Sequence, residues 1–189
     1  MKPELAVLGG SFDPPHIGHV FLATYARSVA GVARVLVAPT FEHAFGKALS
    51  PFEHRLRMSE LAFSLIDGVE VSPIERELGG TSRTLRLVEE LSRRHPASQL
   101  RLLVGADILL ETQRWFRFDD IVALAPLLVA ERAGFASSGQ PSAPLLPQVS
   151  SSEVRRALAA EDVRGPASWL PHEVRTYIAQ HGLYQPREP

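Results

Sequence analysis

The chain contains no cysteine. That absence removes thiol nucleophiles, cysteine-ligated zinc, iron–sulfur clusters and disulfides from any account of its chemistry. Long apolar runs are missing as well. The longest, Ile121 to Ala130, is ten residues with Pro126 inside it, about half of the roughly 20 that a membrane helix needs. Nor is there an excess of positive charge: 20 Lys and Arg stand against 21 Asp and Glu, for a formal net charge of -1. A general binder of nucleic acid or anionic membrane carries a basic surplus, so neither partner is expected and any phosphate recognition must be local. Met1 to Gly10 includes Glu4 and has too short an apolar stretch for a secretory signal, which makes the cytoplasm the expected location.

What is present has the make-up of one globular domain. The 189 residues, 45% hydrophobic and 22% charged, predict a single domain over 1–189. A chain of this length buries about 70% of its unfolded surface without a metal or disulfide staple. Short apolar runs alternate with helical patterns, the signature of an α/β, Rossmann-like open parallel sheet with helices on both faces. Leu5 to Leu8, Val32 to Ala38, Val69 to Val71, Leu100 to Val104 and Leu127 to Ala130 read as buried strands. Ser50-Pro51-Phe52-Glu53 predicts a helix start, with Ser50 as N-cap, Pro51 first and Glu53 completing a capping box. A second helix is predicted over Thr84 to Arg94, and a third opens at Pro171 and stops at Gly182. Ala133 to Pro147, rich in Ser, Gly, Ala and Pro, reads as a variable surface loop inside the domain, ahead of a helical C-terminal part.

The most informative stretch is Gly9-Gly10-Ser11-Phe12-Asp13-Pro14-Pro15-His16-Ile17-Gly18-His19. It directly follows the first strand, where an open α/β sheet places its ligand. Asp13 as cap and Pro14 as first helical residue put His16 and His19 three residues apart on the first turns. Backbone N–H groups and the positive end of the helix dipole then point at the same spot as two imidazoles, an anion site. The plain alternative is a tight turn with surface histidines. The pattern is neither the dinucleotide fingerprint nor a P-loop. Further on, Ser150 and Glu153 stand at capping-box spacing and open a second helix N-terminus.

The first of these stretches resembles the signature of the nucleotidyltransferase superfamily, which includes nicotinate-nucleotide, pantetheine-phosphate and cytidylyl transferases. Later segments narrow the likeness to bacterial nicotinate-nucleotide adenylyltransferases. Leu103-Val104-Gly105-Ala106-Asp107 with Trp115 is similar to that family's Gly-x-Asp and downstream Trp. Val149-Ser150-Ser151-Ser152-Glu153-Val154-Arg155 is similar to its Ile-Ser-Ser-Thr-x-Ile-Arg. The resemblance implies transfer of the adenylyl group of ATP to nicotinate mononucleotide, with Mg2+ arriving on the ATP. It implies His16 and His19 as catalytic residues and an ATP site of Gly9, Gly10, Ser11, Phe12, His16, His19, Lys47, Gly105, Asp107, Ser151, Ser152 and Arg155. The acceptor site it implies is Thr84, Trp115, Arg132 and His43, with the tryptophan stacked on the pyridine ring.

The chain also departs from the family. Ser82-Arg83-Thr84-Leu85-Arg86 stands where the family has Ser-Tyr-Thr-x-Asp, two changes toward positive charge beside the acceptor. Pro39-Thr40 is followed by Phe41 to Lys47 in place of a Pro-Pro-His-Lys-like run. These departures leave open nicotinamide mononucleotide as the acceptor, another adenylyl or cytidylyl transferase of the same fold, and a non-catalytic nucleotide sensor.

Overall fold

The computed structural model describes residues 2–130, 147–162 and 164–185, without the side chains of Asp107 and Glu111. Among them five strands form one wholly parallel sheet: β1 (Glu4–Gly10), β2 (Arg34–Pro39), β3 (Val69–Val71), β4 (Gln99–Gly105) and β5 (Leu127–Ala130). Their order is β3-β2-β1-β4-β5, so the chain runs outward from β1 on one side and then crosses to build the other. This is the expected open α/β sheet, with its direction reversal between β1 and β4. A crevice opens beyond the carboxyl ends of strands at such a reversal.

Period-two alternation explains the two cores. Ala6 and Leu8 of β1, Val35 and Val37 of β2 and Leu103 of β4 face one side. There they meet α1 (Ile17–Ser28), α2 (Phe52–Phe63), α6 (Ser151–Ala159) and α7 (His172–Gln180) through Leu22, Met58, Phe63, Val154, Val174 and Ile178. Leu5, Val7, Leu36, Leu100, Leu102 and Val104 face the other. They meet α3 (Ile74–Leu78), α4 (Thr84–Arg94) and α5 (Phe118–Leu124) through Ile74, Leu87, Val88, Leu91 and Ile121. Each such side chain, fully buried, contributes about 1.5 to 3 kcal/mol. Helices therefore cover both faces, and β1 reads as a near-continuous apolar run because both its sides are inside. No helix among the described residues is long and apolar enough to cross a membrane.

Three local expectations are corrected. The helix after β1 starts at Ile17 with His16 as N-cap, not at Pro14 with Asp13 as cap. Asp13 is 2% exposed, and its carboxylate accepts from the Ser50 N–H at 3.2 Å and the Tyr184 hydroxyl at 2.6 Å. Ser50 caps nothing. Pro51 is the N-cap of α2, while Ser50 gives its N–H to Asp13 and its carbonyl to Arg55, and Glu53 pairs with Arg76. The second strand begins at Arg34 rather than Val32. Val32 is held in the preceding turn by its N–H to Ala26 and by Arg27, which takes the carbonyls of Val32 and Ala33. The region from 133 to 146 lies outside the described residues, and with it nearly all of the expected variable loop.

Arg55 fastens the carboxyl edge of the sheet. Its side chain, 1% exposed, donates to Ser11 O at 3.0 Å, Thr40 O at 2.6 Å, Phe41 O at 3.2 Å and Ser50 O at 2.8 Å. One guanidinium thus joins the β1–α1 loop to both ends of the β2–α2 loop. Burial pulls its pKa down, and the nearby Asp13 carboxylate opposes the shift. Arg55→Met keeps the stem but strands four carbonyls and removes the buried charge beside Asp13, which keeps Ser50, Tyr184 and Arg155. It should lower the unfolding free energy by about 3 to 5 kcal/mol in a urea titration. A loss below about 1 kcal/mol would mean that the loops hold together without it.

Candidate active site

The β1–α1 turn is shaped by its side chains. Phe12 adopts a left-handed φ of 46°, which turns its ring inward, edge-on to Phe63 at 6.1 Å and to His19 at 5.0 Å. A Cβ on Gly10 would meet that ring at 3.2 Å, so glycine is what allows the ring to lie there. Gly9 differs: a Cβ there would meet nothing within 4 Å. It borders the crevice, and open space lies above its backbone.

At the start of α1 the two histidines form a reciprocal capping box. The His16 ring faces the His19 backbone N–H, and His19 Nδ1 accepts from the His16 N–H at 3.2 Å. The ring centroids are 3.9 Å apart. That bond assigns the His19 proton to Nε2, a donor on the far side of the ring from the backbone. The histidines thus replace the usual Ser or Asp cap while lending imidazole donors to the helix N-terminus.

The second helix N-terminus comes to the same place. Ser150 and Glu153 form the predicted capping box at the start of α6. Ser151 Oγ donates to Pro14 O at 2.9 Å, and Arg155 donates to Asp13 O and to Ser152 Oγ. Ser151, Ser152 and Arg155, whose contacts to the turn span 137 and 142 residues, therefore flank the start of α1, held by the β1–α1 loop itself. Lys47 comes from the β2–α2 loop. Lost hydration, then the adjacent Arg155 charge, lower its pKa below the ordinary lysine value. Two helix starts, two imidazoles, a lysine and an arginine make one corner rich in positive charge and N–H donors.

On the other side of β1 lies a cavity of about 720 Å³. It reaches from Gly9, Gly10 and Ser11 to Thr84 at the start of α4 and to Trp115, which follows the 3-10 segment Ala106–Arg114. Trp115 lies edge-on to Phe118 at 6.0 Å and packs on the core beneath α4 and α5. His43 and Phe45 close the opposite wall, Phe45 beneath the Arg114 guanidinium at 4.6 Å. Burial, then the charges of Lys47, Arg114 and Arg55, push the His43 pKa below the ordinary imidazole value, which favours the neutral ring. Of the remaining expected residues, Gly105 ends β4 opposite Ala130, Asp107 follows it with its side chain outside the described part, and Arg132 lies outside the described residues. Thr84, Trp115 and His43 are brought together; Arg86 is not, since it donates to Leu78 O and Gly79 O at the end of α3.

Sequence reasoning passed over Arg55, Tyr184 and Glu75. Tyr184 is half-buried against Asp13, and lost hydration followed by that carboxylate raises its pKa. Glu75 is 6% exposed and lines the cavity, and it accepts from the Ser82 hydroxyl, which in turn accepts the Phe41 N–H at 2.9 Å. With Ser82 N–H to Glu42 O at 2.9 Å, this ties the cavity's two walls together. The short segment Ile74-Glu75-Arg76-Glu77-Leu78 offers no periodic signal separating buried Glu75 from exposed Glu77.

Burial raises the Glu75 pKa above its ordinary 4.5, against the opposing effects of Ser82 and Arg86. The folded state therefore favours the protonated carboxyl. Its contribution is complete below the ordinary carboxyl range and is lost as pH rises toward the raised value. Glu75→Gln keeps an acceptor for Ser82 and cannot ionise. Its stability relative to the unsubstituted protein should rise between about pH 4 and pH 7, measured by thermal unfolding. A difference that stays flat across that window would show that Glu75 ionises without cost.

Residues 7–157 match the family described as Cytidylyltransferase-like. Over 186 residues, 96% of this chain and 97% of the relative, the sequence is 45% identical to a probable nicotinate-nucleotide adenylyltransferase of Anaeromyxobacter dehalogenans. It is 36% identical over 187 residues, 97% of each chain, to another of Myxococcus xanthus. The fold superposes on Plasmodium falciparum nicotinic acid mononucleotide adenylyltransferase complexed with NaAD, with a TM-score of 0.82 over 96% of this chain and 97% of that one, at 19% identity. Identity of this order along nearly the whole chain means that the protein belongs to the nicotinate-nucleotide adenylyltransferase family of cytidylyltransferase-like nucleotidyltransferases.

Proposed function

We propose that the protein transfers the adenylyl group of ATP to nicotinate mononucleotide, giving the deamido dinucleotide of NAD biosynthesis and pyrophosphate. The observation that carries this reading is the meeting of the α1 and α6 starts, with His16, His19, Lys47 and Arg155, beside a cavity that holds Trp115 and Thr84. The first part suits a triphosphate and the second an aromatic mononucleotide.

The reaction needs no covalent intermediate. A phosphate oxygen of the acceptor attacks the α-phosphorus of ATP, the bond to the bridging α–β oxygen breaks, and that oxygen leaves with pyrophosphate. Catalysis is then positioning and charge stabilisation. His19, with its Nε2–H directed by the Nδ1 bond, and His16 stabilise charge on the α-phosphoryl oxygens. Lys47 and Arg155 lie where the departing pyrophosphate would be held, Arg155 oriented by Asp13 O and Ser152. Trp115 and Thr84 receive the pyridine ring. Magnesium enters as part of the substrate MgATP, where it neutralises phosphate charge. The donors at the phosphate corner are imidazoles, cations and hydroxyls, which suits a metal held by phosphates and water rather than by a carboxylate cage.

Pyrophosphate release from MgATP with nicotinate mononucleotide tests this reading. His16→Ala and His19→Ala should each lower kcat by roughly 10²- to 10³-fold while the circular dichroism and thermal midpoint show a folded protein. Near-normal turnover in both would remove the histidines from the mechanism. A second assay compares kcat/KM for nicotinate and nicotinamide mononucleotides at saturating MgATP. The acid should be preferred by about tenfold or more, the effect of one positioned charge-assisted hydrogen bond. Equal values would leave adenylyl transfer standing and refute the acceptor.

A further inference from the structure

The cavity wall away from the phosphate corner carries guanidinium groups in unequal circumstances. Arg117 is paired with Asp120 at 2.5 Å, and Arg114 lies over Phe45. Arg83 lines the same cavity with its guanidinium carbon 4.6 Å from the centre of the Phe116 ring. Among the described residues its guanidinium makes no hydrogen bond or ion pair, while its backbone carbonyl accepts the Leu87 N–H at 3.2 Å. It is the N-cap residue of α4 in an extended conformation, φ −129° and ψ 128°, immediately before Thr84 and above the residue next to Trp115. Glu75, the acid in this cavity, is engaged with Ser82 instead.

We propose that Arg83 is the specificity-determining residue of the acceptor site, pairing with the carboxylate on the pyridine ring and so selecting the acid over the carboxamide. The inference rests on the adenylyl-transfer reading and sharpens it. The argument is one of two ends. The acceptor phosphate must reach the start of α1 to meet ATP, so the group at the opposite end of the mononucleotide, the ring substituent, arrives at the wall made by α4 and Trp115. A guanidinium laid on an aromatic face keeps its N–H edge for a planar anion, and a carboxylate matches that fork with two parallel bonds. A carboxamide offers one neutral oxygen and turns an N–H toward the cation.

The test measures kcat/KM for both mononucleotides with the unsubstituted protein, Arg83→Gln and Arg83→Lys, together with calorimetric titration of nicotinate mononucleotide into each. Arg83→Gln should lower kcat/KM for the acid by about 10- to 100-fold, mainly through KM, and leave the amide within about twofold. Arg83→Lys should recover only part of the loss, because a point charge lacks the planar fork. An unchanged acid preference in Arg83→Gln, or equal losses for both acceptors, would overturn the assignment; equal losses would place the guanidinium on the shared phosphate or in the fold. If no pyrophosphate is released with either acceptor, adenylyl transfer fails. The titration then still decides Arg83, which stands if Arg83→Gln weakens binding of the acid and falls if it does not.

Discussion

A buried positive charge holds the working edge of this protein together. Arg55 has no water to solvate it, and its guanidinium is solvated instead by four backbone carbonyls from the β1–α1 and β2–α2 loops. The complement is Asp13, equally buried, which gathers the start of α2 through Ser50 and the C-terminal turn through Tyr184. Its backbone carbonyl and its carboxylate face Arg155 of α6. Four segments far apart in sequence, the β1–α1 loop, the β2–α2 loop, α6 and the C-terminal turn, are thus referred to two charges. Loops that must stop at defined places over a crevice cannot be fixed by apolar packing alone, because their backbone polar groups need partners. The two buried charges supply them.

The site that results is polar at one end and aromatic at the other. The protein as a whole is almost neutral, yet the charged side chains at the crevice, Lys47, Arg83, Arg114, Arg117 and Arg155, are cationic apart from Glu75 and the buried Asp13. Mutual repulsion and desolvation lower the pKa values of Lys47 and His43. Like charges gathered this closely raise the local positive potential of the crevice. Neutral bulk charge with a concentrated local field is what a binder of small phosphates needs, in contrast to a protein that follows the backbone of a nucleic acid.

The cavity walls show how the fold divides that labour. The hydrogen-bond chain Phe41 N–H to Ser82 to Glu75 ties the β2–α2 loop to the segment before α4. The Phe45–Arg114 contact spans the mouth from the same loop to the segment after β4. The cavity is therefore framed from both halves of the sheet, on either side of the direction reversal at β1. This explains why Thr84 and Trp115, on different elements, face one space.

Much of this was legible in the sequence because it is written in local pattern. The apolar runs of β1, β2 and β4, the α4 boundaries and the Ser150–Glu153 box each depend on residues within one or two turns of one another. The Gly9 to His19 stretch is local in the same way, since glycines, histidines and a helix start are neighbours in the chain. The errors fall where a local reading had a long-range competitor. Asp13 and Ser50 have the right chemistry for helix caps, yet Tyr184, Arg155 and Arg55 claim them from 5 to 171 residues away. Arg55 and Glu75 look like ordinary solvated charges on helix surfaces until the loops close over them. The sequence by itself determined the element types, the two-faced sheet and the residue chemistry of the crevice, since these follow from periodicity and side-chain identity. Only the tertiary structure decided which charges are buried and what they hold, because partners for a buried polar group are chosen in space and not along the chain.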